Sequence, residues 1–364
     1  MVLKILLLFV PVAIGLSWSH ANPILVFAIS AIAIIPLADL LAKSTERVAG
    51  FLGSTVGSLL NASLGNAPEI IIGAFALKNG LPGVVKASIT GSILMNLLIA
   101  PGLAMILGGW KREKQTFNST ATRTSAALMM LAAIGLLIPS AFGMSTKDAE
   151  GELSVEIAVV LFVLYMLSLL FTLVTHKHLF AEESEEEAGE EGGSLGKALG
   201  ILAVVAVFLA IVSEALTDAL APATESLGLS DVFAGVIVVG VLGNVAELFA
   251  AIRFAKADKM DLAMGSTLGA ATQVALVVAP VLLFLSFAFG HEMDLHFSTF
   301  EVVAITLAVF VVGNLTRDGE SNWLEGAMLV AVYLMFGMGV YFLPDPSETE
   351  TAPKAAASAT ATHK

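Results

Sequence analysis

Two glutamates set inside apolar runs carry most of the chemistry open to this chain. Gly65-Asn66-Ala67-Pro68-Glu69 recurs as Gly243-Asn244-Val245-Ala246-Glu247, an offset of 178 residues that also pairs Lys78 with Lys256 and Gly91 with Gly269. A second block, Asp39, Ala42, Thr45 and Glu46, recurs at an offset of 179 as Asp218, Ala221, Thr224 and Glu225. One matching block is weak evidence, but two aligned blocks point to a duplication, with one insertion between them. A carboxylate at the centre of a bilayer costs about 2.5–3.5 kcal/mol on insertion scales and by default marks function. The bland alternative, a protonated Glu serving as glue between helices, fits an isolated residue better than a symmetric pair.

The neighbours suit a hard cation. Ca2+ takes about 6–8 oxygen ligands from carboxylates, carbonyls and water. Asn66 and Asn244 each precede a glutamate by three residues, which puts amide and carboxylate on one helical face. Pro68 lacks an N–H and displaces the carbonyl of Leu64, while Gly65 loosens the backbone further. The following apolar run of each half adds oxygens: Ser92 and Asn96 after Gly91, Thr272 and Gln273 after Gly269. As supporting ligands or pathway groups we name Ser92, Asn96, Gln273 and Glu214, the last inside an apolar run where a proton or cation could pass. Asp39, Asp218, Glu46 and Glu225 read as capping or water-facing groups near helix ends. The six histidines fall in loops or the tail and none reads as a metal ligand. Nucleotide-binding loops and HExxH are missing from the sequence, so it reads as neither an ATP-driven pump nor an enzyme, and no cofactor is expected.

The elements that must hold these residues are transmembrane helices. Of 364 residues 57% are hydrophobic and only 13% charged, and mean hydropathy is +0.89. A soluble domain is nearer 25% charged. Apolar runs are continuous rather than alternating, which excludes a membrane barrel. Eleven candidate spans emerge: 2–18, 23–42, 48–78, 82–108, 122–143, 154–176, 196–219, 230–255, 260–289, 299–315 and 322–342. Segment 1–21 has some signal-peptide features, ending in Ser19-His20-Ala21, but Pro11 and the restart at Pro23 favour a short first helix. Glu69 and Glu247 each lie nine residues before a helix-ending lysine. At 1.5 Å per residue that is about 13 Å, near the middle of an approximately 30 Å core.

The expected organisation is an N-terminal helix (1–22), a five-helix repeat (23–177), an acidic linker (178–195), a second five-helix repeat (196–342) and a low-complexity tail (343–364). Five is odd, so the second copy is inverted in the bilayer, as in many secondary transporters. Lys and Arg concentrate in loops after even-numbered spans, which places the N-terminus and the linker in the cytoplasm and the C-terminus outside. The net charge of −13 argues against nucleic acid, and much of it sits in the linker as Glu182, Glu183, Glu185, Glu186, Glu187, Glu190 and Glu191. These seven glutamates are either a weak regulatory Ca2+ site or a solvated tether. With no cysteine, disulfides and thiolate sites are excluded. Oligomeric state is left open by the sequence, a homo-oligomer included.

Residues 65–102 and 243–280 resemble the two α-repeats of the Ca2+/H+ antiporters, the CAX branch of the cation/Ca2+ exchanger superfamily. DGESNWLEGA (318–327) is similar to a further signature of that family, and the linker sits where the family has an acidic segment. The resemblance implies two inverted five-helix halves after an extra first helix, in a prokaryotic cytoplasmic membrane, with Glu69 and Glu247 binding Ca2+ and protons in competition. Leu248 stands where the family often has histidine, and Ala270 where a serine often follows the glycine. These departures leave Na+/Ca2+ exchange as the alternative, with a cation channel behind it.

Overall fold

The computed structural model describes residues 2–52, 54–142, 147–176 and 194–343. The acidic linker glutamates and the C-terminal tail lie outside the described residues. Thirteen helical segments organise the rest: α1 (Leu3–Trp18), α2 (Pro23–Leu52), α3 (Ser54–Leu64), α4 (Ala67–Lys78), α5 (Pro82–Gly109), α6 (Ser119–Phe142) and α7 (Lys147–Leu170) before the linker. After it come α8 (Leu195–Leu227), α9 (Asp231–Gly243), α10 (Val245–Lys256), α11 (Met260–Phe289), α12 (Thr299–Leu315) and α13 (Trp323–Tyr341). A two-residue antiparallel strap, β1 (Gln115–Thr116) with β2 (Glu320–Ser321), ties the loop after α5 to the start of α13.

Among the described residues seven helices are long and apolar enough to cross a bilayer, or eight when α9 and α10, bent by 55°, count as one span. The expected eleven is therefore not reached on length, because α1 and α12 are short apolar helices and α3–α4 is two short pieces. Side chains on α6 and α7 such as Ile134, Val160 and Leu167 face outward, as lipid-facing surface requires. The chain is an integral, multi-pass helical membrane protein.

Two boundaries differ from the sequence reading for a shared reason. The second span was expected to stop at 42, before Lys43-Ser44-Thr45-Glu46-Arg47, yet α2 runs on to Leu52. Lys and Glu are good helix formers, and Lys43 closes a 2.5 Å i,i+4 ion pair on Asp39 within the helix. Similarly α8 continues past 219 through Pro222 to Leu227, ending at Gly228 in the left-handed conformation. Both helices are longer than the hydrocarbon they cross. Asp39 is consequently not near a helix end: it sits mid-helix, 4% exposed.

The packing places one half against the other. Helix α2 lies along α8, α4 against α8 and α11, and α5 against both α9 and α10. Small residues make the closest approach possible. A Cβ on Gly91 would lie 2.1 Å from the Val236 carbonyl oxygen, and one on Gly240 would lie 2.7 Å from Gly91. Both α5 and α11 widen into a π-helical turn just past their midpoints, at Met95–Ile99 and Val274–Val278. Each turn is followed by a proline, Pro101 or Pro280, whose ring cannot fit a regular α-helical ladder.

Candidate cation-binding site

The chain interrupts its helices at the same point in both halves. Asn66 separates α3 from α4 with φ −97° and ψ 22°; Asn244 separates α9 from α10 with φ −108° and ψ 15°. These bridge-region angles end one helix and start another without a loop. The second half does so with Ala246 where the first has Pro68, so the proline is not what breaks the helix. Glu69 and Glu247 each become the third residue of the restarted helix.

Asn-x-x-Glu at a helix start is also the spacing of a capping box. Neither asparagine caps its own helix. Instead each reaches into the opposite half. Asn66 Nδ2 donates to Gln273 Oε1 at 2.5 Å, bridging the first break to α11. Asn244 Nδ2 donates to Ser92 Oγ at 2.8 Å and to the Gly240 carbonyl at 2.7 Å, and Asn244 Oδ1 accepts from Asn96 Nδ2. The breaks are thus stitched crosswise, each to the π-turned helix of the other repeat. This crossing was not legible in the sequence, although the Gly91–Gly269 correspondence, with polar residues following each glycine, pointed to the helices involved.

Asn244 uses both of its amide hydrogens in these contacts and Asn66 and Asn96 one each, and several buried oxygens are left without a donor. Both carboxylate oxygens of Glu69, Oε2 of Glu247, Oδ1 of Asn66 and Oδ1 of Asn96 are buried with no hydrogen-bond partner. Glu69 is 8% exposed and packs on Gly243, where a Cβ would stand 2.9 Å from its Cγ. Gly243, on which Glu69 packs, directly precedes the break that carries Glu247. Buried acceptors without donors are costly, and a dense group of them fits a cation or protons. Among the described residues no three of His, Cys, Asp or Glu cluster as a metal site; what the two breaks bring together is two carboxylates and amide oxygens.

A cavity of about 430 Å3 reaches the site. It is bordered by Asn61, Gly65 and Asn66 on one side and by Gly269, Ala270 and Gln273 on the other, and Glu247, Asp39, Glu46 and Arg253 also line it. Glu69 does not line it.

A search of family models matches the description "Sodium/calcium exchanger protein" at residues 22–174 and again at 197–342. The chain belongs to the sodium/calcium exchanger family. Among curated relatives, the Ca(2+)/H(+) antiporter of Aphanothece halophytica is 42% identical over 358 residues, covering 93% of this chain and 96% of that one. The Ca(2+)/H(+) antiporter of Synechocystis sp. is 40% identical over 360 residues, covering 93% and 97%. Among solved structures, native YfkE superposes with a TM-score of 0.83 at 34% identity, covering 94% of this chain and 100% of that one.

Within this exchanger fold, the expected residues divide into two groups. Glu69, Glu247, Asn66, Asn244, Ser92, Asn96 and Gln273 come together as described. Glu214 does not join them: it pairs with Lys78 Nζ at 2.6 Å, on the rim of a separate cavity of about 640 Å3 that also holds Asp218. Asn79 donates to Thr217 Oγ1 at 2.9 Å and to Asp218 at 2.7 Å beside it. These contacts clasp the end of α4 to α8. Thr272 turns back to the Leu268 carbonyl of its own helix.

Proposed function

We propose that this exchanger moves Ca2+ one way and protons the other by alternating access, with Glu69 and Glu247 binding the two in competition. The observation that carries the reading is the donor-free group of buried oxygens on the two helix breaks. Two carboxylates in a low-dielectric site repel each other and must be neutralised before the site can close. Ca2+ neutralises both; in its absence protons do. If only neutralised sites reorient, the two fluxes are coupled. The ion moved is substrate, and no bond in it is made or broken.

Curated relatives more than 90% covered are named for Ca2+/H+ antiport, which favours protons over Na+ as the coupling ion. The local chemistry agrees. Na+ in place of protons needs further oxygens, and Ala270, beside Gln273 on the cavity wall, supplies none. We further assign the N-terminus and the linker to the cytoplasm of a prokaryotic cell and the C-terminus to the outside, from the distribution of Lys and Arg. The open cavity then faces the cytoplasm, since Lys43 and Arg253 line it.

In sealed vesicles holding the purified protein, an imposed pH gradient alone is expected to drive Ca2+ accumulation with proton release, while a Na+ gradient at clamped pH drives none. Uptake driven by Na+ and not by protons would make the chain a Na+/Ca2+ exchanger, and downhill Ca2+ flow indifferent to both gradients would make it a channel.

A further inference from the structure

A third cavity, of about 460 Å3, stands apart from the transport site and differs from the other two in its charge. Ile106 and Leu107 form its apolar end; Trp110, Lys111, Arg112 and Lys256 form its polar end. The other two cavities carry carboxylates, Glu214 and Asp218 in one and Asp39, Glu46 and Glu247 in the other. No carboxylate lines this one. Arg112 is fixed in place, its Nη1 donating to the carbonyls of Gly108 at 2.8 Å and Ala255 at 3.1 Å while its Nε faces Asp258 at 3.3 Å. Lys111 and Lys256 meet no acid among the described residues. Lys114, three residues along the same loop, is neutralised by Glu320 at 2.6 Å.

Its position is the membrane boundary. Helix α5 ends there, Leu107 is exposed on its flank, and Trp110 stacks edge-on against Trp323 at 5.8 Å. Tryptophans in pairs at a helix end, with lysines just beyond, mark the headgroup layer. An excess of loop cations explains lysines at this level, but not their convergence on a pocket with an apolar wall. Basic pockets between transmembrane helices are suited to anionic headgroups.

We propose that this cavity binds an anionic phospholipid, with Lys111 and Lys256 on its phosphate and Ile106 and Leu107 against the start of an acyl chain. Lys256 is the last residue of α10, the helix that begins just after Asn244 and carries Glu247. Arg112, through the Ala255 carbonyl, fastens the same helix end to α5. A seated lipid thus braces the half-helix that holds one of the two carboxylates.

The test uses tryptophan fluorescence of the full chain carrying Trp18→Phe, which leaves only Trp110 and Trp323 emitting. In vesicles containing brominated phosphatidylglycerol, quenching is expected at about tenfold lower lipid fraction than with brominated phosphatidylcholine, as two unpaired lysines near a charged headgroup allow. The preference should vanish in Lys111→Gln/Lys256→Gln and persist in Lys114→Gln. Should the double variant fail to fold, Lys111→Gln alone is expected to lose part of the preference. Equal quenching by both lipids, a preference kept in the lysine variants, or one lost equally in Lys114→Gln would overturn the proposal. So would quenching by neither lipid, which means that protein covers the cavity, or abolition of the preference by inorganic phosphate, which makes free phosphate the ligand.

Discussion

At the residue scale the two glutamates are equivalent by duplication and unequal by environment. Glu247 lines an open cavity, whereas Glu69 is sealed against Gly243 with both oxygens unpartnered. Replacing either by glutamine keeps its size and removes the charge and the exchangeable proton. Removing one member of a buried ionic contact costs about 3–5 kcal/mol, on the order of a hundredfold or more in affinity. Glu69→Gln and Glu247→Gln are each expected to abolish Ca2+ transport in vesicles while the protein still inserts and purifies as a folded species. Near-normal transport by either would return that residue to a packing role. The asparagines act differently, since each donates an amide hydrogen across the repeat interface. That bond leaves the amide oxygen of Asn66 unpartnered, whereas that of Asn244 accepts from Asn96.

At the element scale the helix breaks do the positioning, and here sequence and structure part company on cause. The sequence attributes the first break to Pro68 and Gly65. The second break, with alanine at the proline position, has nearly the same backbone angles at its asparagine. Proline in the first turn of a helix is compatible with it and merely stiffens the start. Pro68→Ala is therefore expected to keep most Ca2+ transport and to change stability by no more than about 1 kcal/mol, the usual scale of a proline effect on the unfolded chain. A loss of transport as deep as that of Glu69→Gln would restore the proline to a determining role. The glutamates and their flanking amides were legible because a polar group in a continuous apolar run stands out and because the run is repeated. Helix ends at Leu52 and Leu227 were not, since helix hydrogen bonding continues into water through Lys, Ser, Thr and Glu without any apolar signal. The crosswise stitching was hidden for a further reason: Ser92 and Asn96 have Ala270 and Val274 at the matching offset, so the duplication does not announce which amide partners which.

At the scale of the whole molecule the duplication has been folded into two different states at once. Gly91 and Gly269 correspond at the 178-residue offset. Gly91 is pressed against α9, with the Val236 carbonyl where a side chain would stand, while a Cβ on Gly269 would meet nothing within 4 Å. Gly269 instead borders the open cavity, across from Asn61 and Gly65 on α3. Helix α3 lies back on α2, where Gly57 faces the Ala49 carbonyl so closely that a Cβ would stand 2.3 Å from it. One gap is shut and its counterpart open, as a site exposed to one side of the membrane requires. If the halves exchange roles during transport, α3 must come down on Gly269 as α9 now does on Gly91. Gly269→Val then fits the present structure and obstructs the other one. Valine is no worse than glycine in a helix interior, so stability should shift by less than about 1 kcal/mol. Transport is expected to fall on the order of tenfold or more, a barrier increase of about 1.4 kcal/mol or above. Because the chain has no cysteine, Ser266→Cys beside the cavity offers a single reporter. Combined with Gly269→Val, it should react with an impermeant maleimide from one face at a rate that neither Ca2+ nor pH alters, whereas without the valine that rate should respond to both. Normal transport by Gly269→Val would mean that α3 never closes on α11, and that the open cavity is a fixed entrance rather than half of a cycle.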